Sequence, residues 1–268
     1  MTNLLLTPIK LQLTKFRATL KASLPEQYIP TIIQTYYNLR SLAYTGNKVI
    51  CPCCEGHFRT FISYITYGGE LQENVICPKC SSHERHRLLW LYLKNKTNLF
   101  NKRLKLLHFA PEYYFEKTFL SLENLDYYST DLASPLARIK MDITNILYED
   151  NYFDVILCNH VLEHIQDDQK AMKELLRVLK PGGWAILQVP IDRNREQTFE
   201  DPSIVAPEDR ERLYGQYDHV RLYGRDYKDK LDRAGFQVKV DGYVRSLGAD
   251  VIQKYGLDEN EDIYLCTK

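Results

Sequence analysis

The sequence predicts an α/β fold with a parallel β-sheet at its centre. Two apolar runs, Phe153–Cys158 and Trp184–Val189, have the composition of buried strands. The segment between them carries apolar residues at i, i+3, i+4 and i+7, which predicts an amphipathic helix: Met172, Leu175, Leu176 and Leu179. Continuous apolar strands joined by such a helix are typical of a parallel sheet covered on both faces.

Local signals set the ends of this helix. Either Asp167 or Asp168 is placed to cap its start, and Pro181-Gly182-Gly183 is predicted to end it before the second strand.

The sequence of this segment, FDVI…NHVLEHI…LRVLKPGG, resembles the second half of the class I S-adenosylmethionine (SAM)-dependent methyltransferases, in particular the type 11 group. The resemblance implies a Rossmann-like sheet of seven strands in the order 3-2-1-4-5-7-6, with the last strand antiparallel. The ending, YKDKLDRAGFQVKVD followed by DIYLCTK, is similar to the family's final helix and strands. It also implies an enzyme that uses SAM as its methyl donor.

Composition limits the class of protein. A chain of 268 residues has room for one α/β domain and a smaller appendage. Lys plus Arg and Asp plus Glu both total 35, and this balance disfavours a partner bound mainly through phosphates. No apolar stretch approaches the ~20 residues of a membrane span, and the start lacks a secretory signal, so we predict a cytoplasmic protein.

We predict three regions: a helical segment over residues 1–46, a zinc ribbon with a linking helix over 47–98, and the methyltransferase domain over 99–268. The first 25 residues carry basic side chains and no acid: Lys10, Lys15, Arg17 and Lys21. Two interpretations stay open, a helix that touches a membrane surface and a helix packed on its own domain with a solvated basic face. The second is favoured.

Five of the seven cysteines lie between Cys51 and Cys80, as CPCC and CPKC. Two such pairs, separated by the length of a hairpin, are the spacing of a structural zinc site. The predicted ligands are Cys51, Cys54, Cys77 and Cys80, with Cys53 as an extra thiol and His57, His83 and His86 as alternative ligands. Disulfides are disfavoured because nothing marks the chain as secreted.

After the second pair, Arg85 and Arg87 begin a helix, where they either bind an anionic ligand or form an interdomain salt-bridge cluster. A ribbon that leads into such a helix and then a methyltransferase core resembles a group of bacterial methyltransferases of unassigned substrate.

The cofactor loop departs from the family pattern. The family's first strand ends in an acid and a Gly-x-Gly loop, whereas here the strand is LKLLHF, with His108 at the acid's position. Ala110 and Glu112 stand at the glycine positions, next to Phe109. Either SAM still binds, with Glu112 reaching its amino group, or the fold is a scaffold without a cofactor. We favour binding.

The resemblance implies further cofactor contacts. Asp131 would accept both ribose hydroxyls, because a carboxylate offers two acceptor oxygens; its alternative role is a helix cap. Asp142 and Ile143 would hold the adenine, and Asn159 and His160 would face the methionine moiety.

Residues 191–226 form a long polar insertion, predicted to cover the acceptor at the carboxyl ends of the strands. Within it, Asp218-His219 is the predicted acid/base pair, and Arg221 or Arg225 is a candidate for an anion. His164 is the second catalytic candidate. Alternatively, these residues only brace the insertion.

The sequence therefore favours an enzyme that methylates a small-molecule or saccharide-linked acceptor. A zinc-ribbon RNA methyltransferase and a non-catalytic SAM-fold scaffold are the alternatives.

Overall fold

A computed structural model describes residues 29–66, 69–132 and 137–268. The basic segment predicted from residues 1–25 lies outside the described residues. In chain order, the helices are α1 (Ile29–Leu42), α2 (Glu84–Lys96), α3 (Tyr113–Leu120), α4 (Asp168–Val178), α5 (Pro207–Tyr214), α6 (Tyr227–Ala234) and α7 (Ala249–Tyr255).

Eleven strands accompany them in the described ranges: β1 (Thr45–Ile50), β2 (His57–Phe58), β3 (Ile62–Ile65), β4 (Leu71–Ile76), β5 (Leu104–Phe109), β6 (Leu125–Asp131), β7 (Ile139–Lys140), β8 (Phe153–Asn159), β9 (Leu179–Gln188), β10 (Gln237–Asp241) and β11 (Ile263–Thr267).

The chain divides into two compact units. One contains the described residues up to Trp90 together with Leu247–Glu259, and the other contains Leu91–Ser246 and Asn260–Lys268. Residues 247–259, which the sequence alone placed in the methyltransferase domain, thus group with the cysteine-rich region, because α7 packs on β1.

The larger unit is built on one seven-stranded sheet, whose order is β7-β6-β5-β8-β9-β11-β10. All neighbouring strands from β7 to β9 are parallel, and β11 is antiparallel to both β9 and β10. When these seven strands are numbered 1 to 7 by their order along the chain, their order in the sheet is 3-2-1-4-5-7-6. This is the predicted order, so the predicted fold is confirmed.

The central strands form the core of this unit, since Leu106 and Leu107 of β5 and Val155 and Ile156 of β8 are fully buried. Helix α4 covers one face of the sheet through the predicted apolar stripe, in which Met172 and Leu175 are fully buried. Asp167 caps α4, because its side chain accepts a hydrogen bond from the backbone N–H of Lys170 at 2.9 Å.

The boundary between α4 and β9 differs from the prediction. Strand β9 begins at Leu179, which already pairs with Phe153, and the Pro-Gly-Gly segment bulges out before Trp184 pairs with Val155. Gly183 is required in this bulge, because a Cβ there would lie 2.8 Å from the carbonyl oxygen of Asp154.

The smaller unit contains two antiparallel ribbons, β1–β2 and β3–β4. The second is the hairpin predicted between the two cysteine pairs. No helix in the described ranges combines the length and the apolar character that crossing a membrane requires.

Candidate functional site

A cavity of about 490 Å³ lies at the carboxyl ends of β5, β6 and β8. Strand β5 pairs with β6 on one side and with β8 on the other, so the chain order reverses at this point of the sheet. Open parallel sheets bind ligands at such a reversal. The volume falls within the range of small-molecule sites, which is roughly 300–1,000 Å³.

Six of the eight residues predicted to bind the cofactor line this cavity: Phe109, Ala110, Asp131, Asp142, Ile143 and His160. The other two, Glu112 and Asn159, contact each other, with Asn159 Nδ2 3.5 Å from Glu112 Oε1. Most of this site was predicted because the resemblance to class I methyltransferases assigns these residues to strand ends, which meet at one edge of the sheet.

The remaining lining residues are Leu132, Met141, Val161, His164, Ile165 and Asp218. The apolar ones had no signal of their own in the sequence beyond their position next to predicted site residues. Among the described residues that line the cavity there are three aspartates and no lysine or arginine. The cavity therefore favours a cationic ligand over an anionic one.

The residue predicted to face the adenine lies in a tight turn after β7. Asp142 Oδ1 accepts hydrogen bonds from the backbone N–H and the hydroxyl of Thr144, at 2.8 and 2.9 Å. The adjacent Ile143 is buried. This arrangement fixes a carboxylate beside an apolar surface.

Two lining residues have a left-handed backbone, which is uncommon outside glycine. Ala110 has a φ of 48° and His160 a φ of 54°. Each is held by a backbone hydrogen bond: Ala110 donates to Thr130 O at 2.9 Å, and His160 donates to Gln188 O at 2.8 Å. The loop after β5 therefore has a backbone that glycine would adopt more easily, although the residue is alanine.

His108 replaces the strand-end acid of the family and is fully buried. Its Nε2 lies 2.9 Å from Glu112 Oε2, and its Nδ1 lies 3.0 Å from the hydroxyl of Tyr127. A carboxylate is therefore present near the end of β5. It belongs to Glu112 and is held by His108, the residue at the position of the family's acid.

The two predicted catalytic histidines lie side by side. The rings of His164 and His219 meet edge to face with centroids 4.7 Å apart. His164 and Asp218 line the cavity, whereas His219 is buried and its Nδ1 lies 3.1 Å from Tyr214 O. Burial lowers the pKa of His219 below its ordinary value, so its ring is neutral at pH 7.

Glu163, which sequence reasoning passed over, lies beside these histidines. Its side chain is 2 % exposed, and Oε1 lies 3.4 Å from His160 Nδ1. Burial by itself raises the pKa of Glu163, but the hydrogen bond from His160 and the charges of His160 and His164 lower it below the ordinary value. The only signal in the sequence was an acid directly before His164, in the turn that follows β8.

The insertion is tied to the same turn. Arg221 is buried and pairs with Glu200 at 2.8 Å, while its other N–H groups donate to the carbonyl oxygens of Leu162 and Gln166 at 2.9 Å. Arg221 is therefore not an anion site, because the Glu200 carboxylate and the carbonyl oxygens already accept hydrogen bonds from its N–H groups. The exposed Arg225 pairs with Glu196 at 3.1 Å.

Comparison with known proteins fits this geometry. Residues 116–187 match the family model of the methyltransferase domain. This part of the chain therefore matches a methyltransferase domain, and the sheet has the strand order predicted from the resemblance to class I methyltransferases.

Curated methyltransferases share parts of this domain. The norajmaline N-methyltransferase of Rauvolfia serpentina is 30% identical over 81 residues, which are 30% of this chain and 27% of that protein. The ubiquinone/menaquinone biosynthesis C-methyltransferase of Idiomarina loihiensis is 32% identical over 65 residues, or 23% of this chain and 26% of that protein. The chain thus spans about a quarter of the length of these relatives.

Among solved structures, a SAM-dependent methyltransferase from Archaeoglobus fulgidus overlaps 71% of this chain and 96% of its own, with 14% identity and a TM-score of 0.45. Within the methyltransferase domain, the family match begins at Glu116. The loop from Phe109 to Glu112, where the sequence departs from the family pattern, lies before it.

Outside the methyltransferase domain, the four predicted zinc ligands form one cluster. The sulfur atoms of Cys51, Cys54, Cys77 and Cys80 all lie within 4.8 Å of one another, and the pairs Cys51–Cys80 and Cys54–Cys77 are 3.6 Å apart. A tetrahedral zinc site with Zn–S bonds of about 2.3 Å requires sulfur atoms about 3.8 Å apart. The cluster fits zinc.

The two halves of the cluster have the same backbone turn. Glu55 and Ser81 both have a left-handed φ, 56° and 58°, and their N–H groups donate to Cys51 O and Cys77 O at 2.8 and 3.0 Å. This equivalence pairs Cys51 with Cys77 as the first ligands of the two turns. Cys53 lies outside the cluster and contacts His86 O at 3.9 Å.

Arg87 neither binds an anionic ligand nor forms a salt-bridge cluster, the two roles that the sequence allowed. It is fully buried and donates to four carbonyl oxygens, those of Val75, Ser82, Tyr255 and Gly256, at 2.5–2.9 Å. It therefore holds the segment 247–259 on the cysteine-rich unit and binds no anion.

Proposed function

We propose that the protein is a SAM-dependent methyltransferase that acts on a small-molecule acceptor. The acidic cavity at the chain reversal of the sheet carries this proposal. SAM has a cationic sulfonium and an ammonium group, and carboxylates around the cavity complement both charges.

Seven of the eight predicted cofactor residues have a stated role in this proposal. Asp131 accepts the ribose hydroxyls, and the Asp142 carboxylate and the Ile143 side chain hold the adenine. The methionine end lies along the loops of Ala110 and His160, where Glu112 and Asn159 receive the amino group. Bound SAM supplies the methyl group, and the chain aligns the acceptor with it for one in-line displacement.

The relatives support a small acceptor, since one is named for the methylation of norajmaline and the other for a methylation in ubiquinone and menaquinone biosynthesis. A saccharide-linked acceptor is the narrower form of the proposal. The insertion 191–226 would form the wall of the cavity on the side where the acceptor binds, because Asp218 of the insertion lines the cavity. His164 and His219 are the proposed groups that act on the acceptor.

We further propose structural Zn²⁺ on the four clustered cysteines. Four thiols this close together would form disulfides in an oxidising compartment. Zinc binding therefore requires a reducing compartment, which agrees with the proposed cytoplasmic location.

Isothermal titration calorimetry tests cofactor binding directly. We expect saturable binding of SAM and of its demethylated product to the full chain. Asp131→Ala should weaken binding at least about tenfold, because two hydrogen bonds to a carboxylate are lost. Asp209→Ala, an exposed aspartate on α5, is the matched control and should bind normally.

Absence of binding at about 1 mM SAM would overturn the proposal and favour the scaffold alternative. Equal binding by Asp131→Ala and the wild type would remove Asp131 from the cofactor site.

A further inference from the structure

Three potential metal ligands converge beside the cofactor cavity. Glu163, His164 and His219 each offer one ligand atom, and these atoms lie within 4.8 Å of one another. Glu163 and His164 belong to the short turn Leu162–His164 after β8. His219 comes from the insertion, which is held there by a hydrogen bond from Val220 N–H to Glu163 O at 2.9 Å.

In each imidazole, one ring nitrogen already has a hydrogen-bond partner, which leaves the other nitrogen for a metal. His219 Nδ1 lies 3.1 Å from Tyr214 O, and His164 Nδ1 lies 3.3 Å from Asp218 O. A carbonyl oxygen only accepts hydrogen bonds, so each Nδ1 carries the proton and each Nε2 keeps its lone pair. Metal-bound histidines commonly donate their other N–H to a carbonyl or carboxylate in this way.

The carboxylate provides a second, independent observation. Glu163 Oε2 is buried, and no residue in the described ranges forms a hydrogen bond with it. A buried charged oxygen without a partner costs free energy unless a cation or donor approaches it. Oε2 therefore lacks the partner that a bound cation would supply.

We propose that Glu163, His164 and His219 bind a divalent first-row transition-metal ion. Two imidazoles and one carboxylate suit Mn²⁺, Fe²⁺ or Zn²⁺ better than Mg²⁺, which prefers oxygen ligands, and three protein ligands leave coordination positions open. Ligand atoms of one ion, each about 2.1 Å from it, lie roughly 3–4 Å apart. The group is therefore close to the size that an ion requires.

The site changes the role of the two histidines. A ring nitrogen that binds a metal cannot also act as a general base, so His164 and His219 would act through the ion. In its use for catalysis the inference rests on the proposed function. In that reaction, an acceptor hydroxyl in the cavity could reach the ion beside His164. It would then release its proton to solvent more readily, because the ion stabilises the oxyanion.

Manganese titration tests the site while the cysteine cluster is occupied. The full chain is loaded with one equivalent of Zn²⁺ only, which the four thiolates bind in preference to a histidine and carboxylate site, and Mn²⁺ is then added while the signal of free Mn²⁺ is followed by electron paramagnetic resonance. We expect one equivalent of Mn²⁺ to bind. Glu163→Gln, His164→Ala and His219→Ala should each weaken this binding at least about tenfold.

Glu208→Gln is the matched control for Glu163→Gln, since Glu208 is exposed in α5 and lies outside the group. It should bind Mn²⁺ as the wild type does. Circular dichroism verifies folding, and His164→Ala, a cavity-lining change, decides the result if the buried Glu163→Gln variant does not fold.

Wild-type affinity for Mn²⁺ in folded His164→Ala or Glu163→Gln would overturn the proposal, as would the absence of binding at about 1 mM. SAM calorimetry on the same sample separates the two proposals. If SAM binds and Mn²⁺ does not, the metal site is wrong and the cofactor proposal stands.

Discussion

Ala110 adopts a backbone conformation that glycine usually supplies. The left-handed φ of 48° is the conformation for which glycine is normally used. Alanine pays roughly 1 kcal/mol for it, because its Cβ crowds the following carbonyl. Unfavourable backbone conformations of this kind concentrate at functional sites.

Ala110 also provides a test of the loop. Ala110→Gly should bind SAM normally and raise the free energy of unfolding by up to ~1 kcal/mol. Ala110→Val should lower both stability and SAM affinity, because a β-branched side chain resists this φ and fills the cavity. Urea denaturation and calorimetry measure the two effects.

Asn151→Val is the control, since Asn151 has a φ of 59° but does not line the cavity. It should lose stability and keep its SAM affinity. If Ala110→Val bound SAM as tightly as the wild type, the loop after β5 would not be part of the cofactor site.

At the scale of elements, the two cysteine turns form one site from two short, equivalent pieces. Each turn presents its first and last cysteine, and Ser82 Oγ lies 3.2 Å from the sulfurs of both Cys51 and Cys80. Arg40 of α1 donates to Pro78 O at 2.8 Å and so braces the second turn. The arrangement is complete with four thiols and needs no histidine.

We expect one zinc per chain, bound by the four clustered cysteines. Cys77→Ser should lose the metal and unfold the smaller unit, since zinc supplies much of the folding free energy of such a module. Cys53→Ser should keep a full equivalent, because Cys53 lies outside the cluster. Elemental analysis of reduced, untagged protein measures both variants.

Loss of zinc from both variants alike would show that the ligand set includes Cys53. Less than half an equivalent in the wild type would contradict a structural zinc site.

At the scale of the whole molecule, charge separates the two enzyme alternatives. The net formal charge is zero, and the cavity lining is acidic. Binding of RNA through six to ten phosphates would lose about 10³–10⁵ in affinity between 50 and 200 mM salt. A small acceptor makes no such demand on the protein surface.

We therefore expect radiolabelled methyl groups from SAM to enter the small-molecule fraction of a bacterial extract. Transfer should change less than about twofold between 50 and 200 mM salt, because few counterions are released. Ribonuclease treatment of the extract is the control and should leave the labelling unchanged. Label in RNA, with a steep loss at higher salt, would favour the RNA methyltransferase alternative.

The sequence, through its resemblance to class I methyltransferases, predicted the sheet order and six of the residues that line the cavity, and the cysteine spacing predicted which four cysteines cluster. Apolar periodicity identifies the strands, and parallel strands bring their carboxyl ends to one edge. The resemblance assigned Asp131, Asp142 and His160 to those strand ends, so they could be placed together without coordinates. The four cysteines were predictable for a similar reason, since each tight turn is encoded within a few residues.

Only the tertiary structure decided which distant segments meet. The approach of His219 to Glu163 and His164, the burial of Arg87 against Gly256, and the grouping of residues 247–259 with the cysteine-rich unit have no local signature. They depend on how loops pack after the sheet has formed. The bulge at Gly183 is similar, because only the pairing of Leu179 with Phe153 shows that the strand begins before the glycines.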